Sequence, residues 1–217
     1  MLTLAEEIVL LTLDDEGGKF LYVPEHSMRY ALSGAVLMEL AFRGKIDADP
    51  DSLFILDTTS TNDGMLDSIL KQIAKEEERH DCSYWIQYFG REAYRIQQVA
   101  LQRLCDAGIL RAEDKSFLWV FKSRRYPIRN DLAEKEVKQR IMALLFSDDI
   151  PDPRDIAIIG LAESCRLFER MFSRSEYERV RGRIEEIGRL ELIGQTISKV
   201  VREIEFQLGQ ATAIGPM

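Results

Sequence analysis

The run Tyr30-Ala-Leu-Ser-Gly-Ala-Val-Leu-Met-Glu-Leu-Ala-Phe-Arg-Gly44 has the period of a helix and almost no polar face. A helix that is apolar all round is buried. The run also falls short of the roughly 20 residues that span a bilayer, so its destination is the interior of a protein. The rest of the 217-residue chain must wrap around it. Burying one large aliphatic side chain contributes roughly 1.5–3 kcal/mol, so Val36, Leu37, Leu40 and Phe42 make this helix the organiser of the fold. The helix is predicted from Ser27 to Arg43 and ends at Gly44, where a C-terminal glycine supplies the left-handed turn. Glu39 and Arg43 stand four apart and can pair at its end.

The elements on either side read as mostly helical. Thr3 and Glu6 have capping-box spacing and open an amphipathic helix over the first turn signals, which Gly17-Gly18 closes. Short strands are predicted at Lys19–Val23 and Leu53–Leu56. Helices follow at Met65–Arg79, Tyr84–Phe89 and Arg91–Ala107, the last ended by Gly108. Further helices are predicted from Asn130 or Asp131 to Phe146 and from Asp152-Pro153 through Cys165 to Phe172, with proline in the favoured first turn. The last two run over Ser175–Ile187 and Leu190–Leu208. One helical domain over residues 1–208 and a tail over 209–217 are expected, without internal repeats or a dividing linker. The one break in the helical pattern is Ile109-Leu110, a polar turn at Glu113–Ser116 and the run Phe117-Leu-Trp-Val-Phe121, which reads as a β-hairpin closed by Pro127.

The net charge of −8 speaks against a chain that coats nucleic acid, but the charge is uneven. Between Ile86 and Asn130 there are nine basic and four acidic residues, a local +5. One basic face on an acidic body suits an anionic surface, although helix surfaces also carry such runs without function. Three cysteines, Cys82, Cys105 and Cys165, at unrelated spacings give no disulfide framework and point to a reducing, cytosolic setting. Glu6 and Glu7 stand where a signal peptide is basic. Any membrane contact is therefore expected from outside.

Catalytic and metal chemistry find little support. His80-Asp81-Cys82 has no further ligands at zinc spacing, and His26 is the only other histidine. The doublets Asp14-Asp15 and Glu185-Glu186 are adjacent, and adjacent helical side chains do not converge. No phosphate-cradling glycine loop occurs. No enzyme activity, cofactor or metal is expected. The hairpin is more informative. Leu118 and Val120 alternate with Phe117, Trp119 and Phe121, so both faces of the run are apolar. It can pack into a core or a dimer, or wedge into a bilayer interface, where Trp is enriched and flanking Lys and Arg meet headgroups. A helix followed by a basic hairpin also describes a winged-helix DNA binder, which the pI near 5.0 disfavours.

An ordered series of segments resembles the Golgi phosphoprotein 3 family. It comprises Leu4-Ala-Glu-Glu7 with Leu10-Leu-Thr-Leu-Asp14, Ser33–Ile46, Asp63-Gly-Met-Leu-Asp-Ser-Ile-Leu70, Trp85-Ile86, Gly108-Ile-Leu110, Tyr126-Pro127 and Asp152–Leu161. The resemblance implies a mainly α fold: a single helical domain around the buried central helix, with a protruding β-hairpin that contacts membranes. Eukaryotic members bind phosphatidylinositol 4-phosphate and the cytosolic tails of glycosyltransferases. The family's lipid pocket places an arginine at the position of Ser33, a tryptophan near Pro24 and two arginines near Tyr94 and Gln97, none of which this chain retains. These departures suggest a bacterial-type member. Arg91 and Arg95, close to the vacated positions and four apart, are candidates to hold an anionic headgroup in their place.

The reading that results is a cytoplasmic, reversibly membrane-associated protein that binds anionic lipid. Phe117, Leu118, Trp119, Val120 and Phe121 form the inserting hairpin. Arg91, Arg95, Lys122, Arg124 and Arg125 supply charge to the headgroups. The alternative is an adaptor for a protein client, or a homo-oligomer, with the hairpin as its interface.

Overall fold

The computed structural model describes residues 1–13, 19–117, 121–129 and 132–190, with the stretches 113–117 and 121–125 described by their backbone. Helix α1 (Leu4–Leu11) begins with the predicted capping box: Glu6 N–H donates to Thr3 Oγ1 at 3.3 Å, and Thr3 N–H donates to Glu6 Oε2 at 2.7 Å. Helix α2 (Glu25–Phe42) is the predicted central helix, and every residue from Ala31 to Leu40 is buried. It ends in a Schellman turn. Gly44 takes φ +63°, its N–H donates to Ala41, and Lys45 N–H donates to Leu40.

A small antiparallel sheet follows, of β1 (Ile46–Ala48) and β2 (Leu53–Ile55), with Asp47 opposite Phe54. The second strand was legible in the sequence and the first was not. Helices α3 (Gly64–Lys75), α4 (Cys82–Gly90) and α5 (Ala93–Asp106) come next, and Asp63 and Asp81 cap the first two. Beyond the hairpin strands β3 (Glu113–Phe117) and β4 (Phe121–Arg125) lie α6 (Leu132–Leu145), α7 (Pro153–Ser164), the single turn α8 (Phe168–Met171) and α9 (Arg174–Gly188). Helix α2 packs against α1, α3, α4, α5 and α7, so the fold is the expected helical shell around one buried rod. The predicted helix at 190–208 beyond Leu190, the tail at 209–217 and Gly17-Gly18 lie outside the described residues.

Three sequence expectations are corrected. The segment 19–23 forms no strand and contributes only an isolated bridge, Leu13 to Phe20. The helix expected from Asp152 to Phe172 is broken at Arg166. That residue takes φ +54° and closes a Schellman turn, its N–H donating to Glu163 and that of Leu167 to Ala162. Sequence signals missed it because glycine ordinarily holds this position. The third correction concerns the hairpin. Glu113–Phe117 is a strand and not a turn, and Phe117 and Phe121 lie at the far ends of two paired strands. Glu-Asp-Lys-Ser contains neither glycine nor proline, so its turn signal was weak.

Charged side chains lace the body together. Glu7, buried on α1, meets Arg140 at 2.7 Å and Arg154 at 3.3 Å. Arg154 also reaches Glu39 at 3.2 Å, and Arg140 reaches Asp155 at 2.5 Å. Glu39 pairs with Arg43 at 3.1 Å, as its spacing predicted, and also accepts the Leu4 N–H at the start of α1. Burial raises Glu7, an effect that Arg154 and Arg140 oppose without cancelling. Asp63 differs. Burial works against its charge, but Arg103 at 2.7 and 2.8 Å and the N–H groups of Leu66 and Met65 hold it below the usual carboxylate range.

Candidate membrane-facing site

The seven described residues among the ten predicted for the site fall in two regions. Arg91 and Arg95 lie at the corner between α4 and α5. Arg91 is the C-cap of α4, is exposed, and has no acidic partner among the described residues. Arg95, one turn further on, pairs with Glu92 and reaches Ser68 Oγ at 3.5 Å. Glu92 in turn accepts from Gln72 at 3.0 Å, so part of the Arg95 charge is already spent within the corner.

Helix α2 fixes this corner from below. Ser33 is fully buried and its hydroxyl donates to the Ile86 carbonyl at 2.8 Å. One turn earlier, Arg29 Nε donates to the Gly90 carbonyl at 3.1 Å. Gly90 has little space for a side chain, because a Cβ there would lie 3.1 Å from the Tyr30 ring. Ser33 is thus a structural staple, and Arg29, one turn before it, is held against the residue that precedes Arg91. Sequence reasoning overlooked Arg29. Its signal was the i, i+4 relation to Ser33 on the most strongly predicted helix. Tyr94, near which the resemblance implied a pocket arginine, is 75% exposed.

The second region is the hairpin. Leu110 pairs with Ile128, and the same register continues from Glu113 opposite Arg125 to Phe117 opposite Phe121. The ladder is therefore one ribbon. At its base Arg111 N–H donates to Pro127 and Arg129 N–H to Ile109. Pro127 has no N–H to return, which interrupts the ladder without changing the register. At about 3.3 Å per residue, the seven steps from Leu110 to Phe117 span roughly 23 Å. Among the described elements, each strand has the other as its only extensive neighbour. The base is held by Tyr126, buried and edge-on to Phe20 at 6.0 Å. Lys122, Arg124 and Arg125 stand on β4, while Phe117 and Phe121 form the last described rung. Leu118, Trp119 and Val120 lie outside the described residues.

The other candidate features do not compete with these regions. A cavity of about 20 Å³ between α1, α2, α3 and α5 has room for a water molecule and not for a larger ligand. Cys82 and Cys165 are buried and Cys105 partly so. Burial pushes the Cys165 thiol up to about 12, far from a reactive thiolate. No helix among the described residues is long and apolar enough to cross a membrane.

Residues 4–204 match the family described as Golgi phosphoprotein 3 (GPP34). The chain belongs to that family. It is 29% identical over 213 residues to Vacuolar protein sorting-associated protein 74 of Eremothecium gossypii, covering 82% of this chain and 63% of that protein. It is 32% identical over 167 residues to the protein of the same name in Schizosaccharomyces pombe, covering 67% of this chain and 49% of the relative. The chain thus spans 49% to 63% of the length of these relatives. Both come from yeasts and give no support to the expectation of a bacterial-type member.

Proposed function

We propose that this chain is a non-catalytic peripheral membrane protein that binds anionic phospholipid headgroups reversibly from the cytoplasmic side. The observation that carries this reading is the hairpin: a two-stranded ribbon with aromatic residues on its last described rung and cations along its stem. An isolated two-stranded hairpin is marginal in water, so a long one with an apolar end calls for a surface to receive it. Residues 117–121 serve as the inserting element, and Lys122, Arg124 and Arg125 meet the headgroups. Arg91 and Arg95, with Arg29 beside them, form a second cationic point on the body. Each Lys or Arg close to an anionic membrane contributes about 1 kcal/mol, so the two regions act together with the apolar insertion.

Headgroup recognition in this reading is of the phosphoinositide type in charge but not in fit. Ser33 is used to staple α2 to α4, and the corner offers arginines whose terminal nitrogens can meet phosphate oxygens. Vesicle co-sedimentation tests it. Phosphatidylcholine vesicles that also contain phosphatidylserine or a phosphoinositide should retain the protein, and pure phosphatidylcholine should not. Unchanged binding after Trp119→Ala combined with Arg91→Ala would reject the proposed face.

A second reading draws on the outer edges of β3 and β4, which have no partner strand among the described residues, since such edges are templates for another strand. In that case the hairpin joins two copies or a protein client. A dimer that persists in high salt, is lost on Trp119→Asp and ignores vesicles would favour it.

A further inference from the structure

Two glutamates of the helical body have opposite surroundings. Glu7 meets two guanidinium groups, Arg140 at 2.7 Å and Arg154 at 3.3 Å. Glu163, on α7, meets a neutral phenol: the hydroxyl of Tyr177 on α9 donates to its Oε1 at 3.3 Å. Its Oε2 is buried and has no hydrogen-bond partner among the described residues. An enclosed carboxylate without a close cation costs far more than an enclosed carboxylic acid. The seam between α7 and α9 therefore suits the protonated form.

The charged groups around Glu163 do not compensate it. From α9 comes Glu185, exposed and paired with Arg181 at 3.1 Å, and from α8 comes Glu169. Arg166, exposed in the turn between α7 and α8, is the cation that opposes them. On the side of α1 and α2, Glu7 and Glu39 are held by Arg154, nine residues before Glu163 and about 13 Å away along α7. Burial raises the Glu163 carboxyl to about 7 against the Tyr177 hydrogen bond, with Glu169 and Glu185 adding to the rise. Burial and the neighbouring carboxylates push Tyr177 up to about 12, so it remains a donor throughout.

Between the two helices, α9 is the one that can yield. Helix α7 is packed on α1 and α2 as well as on α9, whereas the principal neighbours of α9 among the described elements are α6, α7 and α8. Helix α9 buries one stripe, Val180, Ile184 and Ile187, and its remaining tie to the loop before α7 is the Arg183 guanidinium on the Asp149 carbonyl. We propose that Glu163 is a proton-operated latch on α9: the protonated carboxyl holds the helix against α7, and loss of the proton lets α9 open and uncover its apolar stripe. The latch belongs to the body and stands independently of the membrane reading. Its sign follows from linkage. The docked form binds the proton more tightly than the open form, so docking is strongest below the ordinary glutamate range and weakens as pH rises through about 7.

The test is amide hydrogen exchange of the full chain, read by mass spectrometry in the parent and in Glu163→Gln at equal pH, so that the chemical exchange rate cancels. The glutamine is neutral at every pH and still accepts from Tyr177. Near pH 8 the amides of α9 should exchange about 30-fold faster in the parent than in Glu163→Gln, and near pH 4 within about twofold. In the parent near pH 8 they should also be at least about tenfold less protected than those of α2, the mark of a local opening. Equal exchange of α9 in the two proteins near pH 8 would overturn the latch. So would α9 and α2 losing protection together, because the helix would then open only with the whole body. Two further readings need no glutamine variant. Protection of α9 in the parent should fall as pH passes through about 7, and an unchanging profile contradicts the proposal. Tyr177→Phe removes the hydrogen bond that opposes protonation and should move that fall to higher pH; a move to lower pH contradicts it as well.

Discussion

The helical body and the hairpin carry the same kinds of charged residue in different arrangements. In the body, Glu7, Glu39 and Asp155 are buried, and Arg140 and Arg154 bridge them at 2.5 to 3.3 Å. Those charges hold α1, α2, α6 and α7 in one arrangement. On the hairpin the register sets Glu113 opposite Arg125 and Asp114 opposite Arg124, with Lys115 and Lys122 on the rungs next to Phe117 and Phe121. A local surplus of positive charge is therefore a poor guide to a binding face until the acidic partners are known. Arg103 lies within the basic stretch of the sequence, yet it is engaged by Asp63 at 2.7 Å and by Glu6 at 3.8 Å.

The contrast can be broken most sharply at Arg154. Arg154→Met leaves the buried Glu7 and Glu39 short of a partner and should destabilise the fold by about 3–5 kcal/mol in chemical denaturation. Full stability in that variant would mean that the buried network is dispensable. Asp63→Ala removes both the cap of α3 and the Arg103 pair. It should cost about 2–3 kcal/mol, combining a lost cap with a lost charge-assisted bond.

Glu163 sharpens the comparison through pH. Burial raises its carboxyl to about 7, against a hydrogen bond from Tyr177 at 3.3 Å. Nearby charges divide: Glu169 and Glu185 raise it further and Arg166 lowers it. A carboxyl raised on folding holds its proton more tightly in the native state. Its contribution is fully present below the ordinary glutamate range and is lost as pH rises through about 7. Glu163→Gln, which keeps the acceptor for Tyr177, should therefore stabilise the protein by about 2 kcal/mol at pH near 8 and change little near pH 4. A variant that is equally stable to the parent at both pH values contradicts this. The smallest effect belongs to the hairpin. Replacing residues 113–125 with Asn-Gly, between the facing Ala112 and Tyr126, should move the denaturation midpoint by no more than about 0.5 kcal/mol. A large loss would show that the ribbon is part of the core.

Much of the body was legible because its signals are local. The all-apolar face of α2, the Thr3–Glu6 box, the Asp152-Pro153 start and the stops at Gly44 and Gly108 each depend on a few neighbouring residues. Arg166 escaped notice because an arginine does a glycine's work there. Strand β1 escaped because three residues carry too little alternation to stand out. The site was less legible for a different reason. Whether Arg29 faces Gly90, whether Ser33 is buried and which residues of the ribbon oppose one another are long-range facts that spacing along one segment does not encode.

The claim on which the functional account depends is that the hairpin enters the membrane while the body stays outside. The chain has two tryptophans, and Trp85 is 3% exposed in the core. In a Trp85→Phe background, emission reports on Trp119 alone. The account predicts a blue shift when vesicles containing phosphatidylserine are added and none with pure phosphatidylcholine. Unshifted emission from protein that nevertheless co-sediments with the anionic vesicles would contradict it.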